Sequence, residues 1–147
     1  MKFAELKPGA VLRAGPRPVA ESEIIEFARR YDPQPFHINP AAAAASRWKG
    51  IISSGWLTCS IAMELAVQSL LKNSDSLGSP GLDHIEWPHP VRPGDALSIA
   101  ITVLEARRSS SGRVGIAKCQ WEMRNQNDVV VLRMTGTSLF DLASAAA

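Results

Sequence analysis

Asp32 and His37 stand five positions apart in Tyr31-Asp32-Pro33-Gln34-Pro35-Phe36-His37-Ile38-Asn39-Pro40. Histidine titrates near neutrality, and a neighbouring carboxylate can fix its tautomer or share its proton. The chemistry on offer is general acid-base transfer. Pro33 and Pro35 lack backbone donors and push the residues before them toward extended conformations. The segment is therefore expected to bend stiffly and not to run as a regular helix. Residue types alone leave a second reading open, a Pro-rich surface loop with an incidental histidine.

The elements that follow must position this pair. Gly50-Ile51-Ile52-Ser53-Ser54-Gly55 leads into an apolar run from Trp56 to Leu71, in which Ser60, Glu64 and Gln68 recur every four residues. That spacing predicts a helix, apolar nearly all round, with one narrow polar stripe, and hence a buried one. Gly55 opens it, where free N–H groups favour negative charge. Acid-base groups facing a helix start would combine proton transfer with an oxyanion site.

Composition narrows the class. The chain has 147 residues, of which 46% are hydrophobic and 20% charged, with a formal net charge of +2. This is an ordinary globular balance for one domain spanning 1–147. The charge is too small to argue for nucleic acid, and no basic patch with interleaved aromatics occurs. Met1 to Gly9 has no apolar stretch of a secretory signal, and Glu64 and Gln68 interrupt the apolar run, against a membrane span. Cys59 and Cys119 have no paired spacing and read as reduced core residues. A cytoplasmic protein is expected.

Along the chain, residues 8–20 read as an irregular edge strand, and Glu21 to Arg30 as an amphipathic helix with acids early and bases late. Asn39-Pro40 reads as a cap and first helical residue, with the alanines 41 to 45 continuing. Residues 73–81, rich in Gly, Ser and Pro, are expected to be a loop and the best candidate for a mobile segment. Strands are expected at Leu82–Val91, Asp95–Glu105, Val114–Arg124 and Val129–Phe140, antiparallel through short connections, with a turn at Pro93-Gly94. Ala143 to Ala147 read as a frayed tail. The pattern alone gives an α+β fold, an antiparallel sheet covering one long helix.

These residues resemble the MaoC-like dehydratase family, which includes (R)-specific enoyl-CoA hydratases. The family motif runs approximately Asp-x-Asn/Gln-Pro-x-His-x-x-Pro, followed by a glycine opening the central helix. Asp32, Gln34, Pro35, His37, Pro40 and Gly55 fit it, and Gly81-Leu82-Asp83, Trp87, Pro90-Val91 and Arg92-Pro93-Gly94-Asp95 are similar to it downstream. The likeness spans about residues 10 to 140. It implies the hot-dog fold, an antiparallel sheet wrapped around a central helix.

The resemblance further implies reversible addition of water across C2–C3 of an acyl thioester of coenzyme A. Asp32 and His37 would be the catalytic acid and base, in either assignment. The Gly55 N–H would be the oxyanion donor, its lack of a side chain letting the thioester approach. Gln34, Phe36, Ser54 and Trp56 are the candidate substrate-binding residues. No metal or other cofactor is implied, and a homodimer, or a multiple of one, is expected. His84 and His89 have no ligand-spaced partners and read as structural or surface residues, Trp56 and Trp87 as core residues able to touch an acyl chain, and Arg47, Lys49 and Arg92 as solvated charges. Two departures stand out. Met63 occupies the helix position where the family often carries a small hydroxyl supporting the aspartate, and Arg30-Tyr31 replaces Ser/Thr-Gly. A non-catalytic acyl-CoA-binding subunit and a hot-dog thioesterase using Glu64 are the competing readings.

Overall fold

The structure is a computed structural model and describes residues 1–143; the expected frayed tail lies almost wholly outside these residues. After a short 3-10 turn at Phe3–Glu5 come strand β1 (Val11–Pro18), helix α1 (Glu21–Tyr31), one-turn helix α2 (Pro35–Ile38) and helix α3 (Pro40–Ala45). Helix α4 (Gly55–Ala66) follows and runs into a π turn at Val67–Leu71. Strands β2 (Ser76–Glu86), β3 (Ala96–Arg108), β4 (Val114–Arg124) and β5 (Val130–Asp141) complete the chain. Asn39 caps α3, its side chain accepting from the Ala42 N–H, with Pro40 at the first helical position as expected.

The five strands form one antiparallel sheet in the order β1-β3-β4-β5-β2. The hairpins β3–β4 and β4–β5 follow from the alternation of their sequences. Leu97, Ile99, Ile101 and Val103 of β3 and Ala117, Cys119, Trp121 and Met123 of β4 are all buried on one face. Helix α4 lies against that face through Leu57, Ile61, Leu65 and Ala66, each nearly inaccessible. Burying the helix stripe and the sheet face against each other removes both from water, the main driving force for this layer.

Three expectations need correcting. The turn expected at Pro93-Gly94 is present, Asp95 donating its N–H to the Arg92 carbonyl at 3.1 Å, but it closes no hairpin, because β2 crosses to the far edge and pairs with β5 while β1 pairs with β3. Residues 73–81 are only partly a loop. From Ser76 onward the chain is strand, with register shifts between Ser76 and Gly78, Gly78 and Gly81, and Leu82 and His84. β2 then ends at Glu86, before Pro88 and Pro90 can remove ladder donors.

The third correction concerns α4, which is not wrapped on all sides. Trp56, Met63 and Val67 are exposed, with Ser60, Glu64 and Gln68 beside them. The core touches only the opposite face. Among the described residues, no helix is long and apolar enough to cross a membrane.

Candidate active site

Asp32 caps the C-terminus of α1, its backbone N–H donating to the Ala28 carbonyl at 2.8 Å. Pro33 stops the helix there. Pro35 then takes the first position of α2, where a missing N–H costs nothing, so a single helical turn forms within the Pro-rich segment. That turn carries His37 back beneath Asp32. The His37 Nε2 atom lies 3.3 Å from Asp32 Oδ2, with the imidazole almost fully buried.

The other ring nitrogen fixes the tautomer. His37 Nδ1 is 2.7 Å from the Ile52 carbonyl oxygen, and a carbonyl can only accept. Nδ1 therefore carries a proton, and Nε2 faces Asp32. Ile52 is itself held, donating its N–H to the Phe36 carbonyl at 3.3 Å, and the next residue, Ser53, donates to the Val91 carbonyl at 2.8 Å.

The Asp32 carboxyl is drawn below its ordinary value. Burial pushes it upward, but hydrogen bonds from Gln34 and Ser54 and the charge and hydrogen bond of His37 outweigh burial. Gln34 Nε2 donates to Asp32 Oδ1 at 2.7 Å. Ser54 is fully buried and caps α4, its Oγ accepting the Trp56 N–H at 3.3 Å. The Ser54 hydroxyl at the helix cap is thus one cause of the lowered Asp32 titration, while Met63, where the family often has a small hydroxyl, is exposed on α4.

Gly55 is the first residue of α4, so its N–H has no intrahelical acceptor. The reason for glycine differs from the expected open approach. A Cβ at Gly55 would sit 2.6 Å from Cε2 of Trp87, whose indole lies on this position and whose Nε1–H donates to the Gly55 carbonyl at 3.0 Å. Trp87 and Trp56 meet edge to face at 5.5 Å. Both are exposed and form a rim to the site instead of core.

Asp32, Gln34, His37, Gly55, Trp56 and Trp87 line one cleft of about 310 Å³. Phe36 does not; it packs edge-on behind His37, with ring centroids 4.5 Å apart. Ser54 stays beneath the surface. Glu64 points elsewhere, paired with Arg17 at 3.1 Å. Cys119 is buried and Cys59 half-buried, and neither is bonded to the other. Arg92 is tied by Nη2 to the Trp48 carbonyl at 2.7 Å, and its neighbour Asp95 is buried, accepting from the Arg92 and Gln126 N–H groups. His89 is exposed at the cleft's edge, and His84 is exposed beside Glu86 at 3.4 Å.

A sheet packed on one long helix is the hot-dog fold, and here an Asp-His pair shares a cleft with the helix start. The MaoC like domain model matches residues 3–121, and the chain belongs to that family. It is 35% identical to a MaoC-like dehydratase of known structure from Rhodospirillum rubrum, over 94% of each chain, with a TM-score of 0.86. An uncharacterized Bacillus subtilis protein, YdeM, is 29% identical over 89% of this chain and 92% of its own. The (R)-hydratase from A. caviae involved in PHA biosynthesis shares the fold at 23% identity, with a TM-score of 0.76 over 91% of this chain and 96% of its own.

Proposed function

We propose that the protein is a hydratase/dehydratase acting at C2–C3 of an acyl thioester of coenzyme A. The observation that carries this is the Asp32–His37 pair, 3.3 Å apart, lining the same cleft as the helix start at Gly55. In hydration, a water lies within hydrogen-bond reach of both groups. His37 Nε2 accepts its proton as the hydroxyl bonds to C3. The C2–C3 electron pair shifts toward C2 and the thioester oxygen, and the Gly55 N–H stabilises the charge there. The proton then passes from His37 to C2, so atoms and charge balance. An aspartate drawn below its ordinary range is the weaker proton acceptor, which favours His37 as the base. Asp32 stabilises the imidazolium formed and orients the water.

The apolar pocket of about 390 Å³ lined by Cys59, Met63, Leu82, Trp121 and Met134 begins one turn beyond Gly55, the natural place for the acyl chain. The pairing of Glu64 with Arg17 argues against a thioesterase built on that carboxylate. The exposed apolar face of α4 and the free edge of β2 support a homodimer that covers both.

The test is a panel of short, branched and aromatic enoyl-CoAs, beginning with crotonyl-CoA, followed at the enoyl absorbance band with a parallel thiol assay. Bleaching without thiol supports hydration. Thiol release would identify a thioesterase, and binding without either would identify a non-catalytic subunit.

A further inference from the structure

We propose that Trp87 is a positioning residue that aims the Gly55 N–H at the thioester oxygen, an inference resting on the hydratase reading above. Glycine at a helix start is the loosest point of the backbone, since it has the widest choice of φ and ψ. An oxyanion donor works only if it is fixed before charge develops. Three observations show how this glycine is held.

The peptide unit joining Gly55 to Trp56, which directly follows the one that carries the Gly55 N–H, is gripped at both ends. Its carbonyl accepts the indole N–H of Trp87 at 3.0 Å. Its N–H donates to the Ser54 hydroxyl at 3.3 Å. The third restraint is steric: Cε2, Nε1 and Cδ2 of Trp87 lie 2.6, 2.8 and 3.0 Å from where a Cβ on Gly55 would stand. The ring lies against the α-carbon and leaves the adjacent torsions little room. Trp87 reaches this place from the loop after β2, 32 positions away in sequence. It is not needed to fill the core, because it is 40% exposed. Its exposed edge meets Trp56 and walls the cleft.

The test compares Trp87→Phe, which keeps a ring on Gly55 but loses the donor, with Trp87→Leu, which loses both. On the enoyl-CoA the wild type hydrates fastest, Trp87→Phe should lower kcat about 10-fold with KM changed less than about two-fold. Trp87→Leu should lower kcat about 100-fold, the scale of a mispositioned donor. In a His37→Gln background, which holds substrate without turnover, the carbonyl stretching band of bound trans-cinnamoyl-CoA should move toward its free value when Trp87→Phe is added. Unchanged kcat and band position in Trp87→Phe would overturn the proposal. So would a kcat loss accompanied by a lower melting temperature and an unmoved band, since Trp87 would then only hold the fold. If Trp87→Leu fails to fold, the Trp87→Phe arms decide alone. A wild type that hydrates no member of the panel defeats the hydratase reading instead, and that outcome is distinct from the others.

Discussion

Asp32 is a carboxylate whose neighbours keep it ionised against the cost of partial burial. Gln34 gives the largest of the lowering contributions, so Gln34→Leu should raise the Asp32 titration midpoint. The shift can be read from the Asp32 carboxyl carbon resonance as pH is varied. A midpoint that stays put would mean Ser54 and His37 suffice. The folded-state value is depressed, so Asp32 stabilises the fold above the ordinary carboxylate range. That contribution is lost as pH falls through the lower folded value. Asp32→Asn and His37→Gln should each reduce kcat by at least about 100-fold, the usual scale for a general acid or base. Circular dichroism should show both variants folded; near-wild-type turnover in either would remove the pair from the mechanism. The pair was legible because proline spacing and residue type are local facts. The support of Asp32 by Ser54 and the seat of Trp87 on Gly55 were not, since each joins parts of the chain that only the fold brings together.

Helix α4 shows what apolarity in a sequence does and does not say. Its 3.6-residue pattern located the element, and its last turn, Val67–Leu71, departs only by being a π turn. Apolar character all round was read as burial all round, yet burial is a property of what lies opposite. Ile61 faces the sheet at 1% exposure, so Ile61→Ala should destabilise the chain by about 2–5 kcal/mol in chemical denaturation. Ser54→Ala removes the cap and should cost about 1 kcal/mol, while also raising the Asp32 midpoint. A cap acting only on the helix would change stability without moving that midpoint. Strand β2 was half hidden for a related reason. It is an edge strand, exposed along nearly its whole length, so it shows no alternation of burial. Its glycines, serines and proline imitate a loop.

At the scale of the whole molecule, the same exposed surfaces argue for a partner. Trp56 at 59% and Met63 at 48% exposure on α4, and Val67 at 44% on the π turn that continues it, join Leu77 at 55% and Leu82 at 52% on β2. Large apolar groups gathered on one helix face and one sheet edge are what a monomer avoids. A second copy of the chain answers both needs, because a two-fold axis lets edge meet edge and α4 meet α4 through identical patches. Sedimentation at micromolar concentration should give a species of twice 15.9 kDa. Met63→Glu or Val67→Glu would bury a carboxylate in that interface. Either should yield monomers with an intact far-ultraviolet spectrum, since both side chains are exposed in the single chain. The cleft rim at Trp56 lies on the same helix face as Met63, so the monomers should also lose activity, and dilution of the wild type should do likewise before it unfolds. A fully active species of single-chain mass would sink both the dimer and the idea that the cleft is completed by the neighbouring subunit.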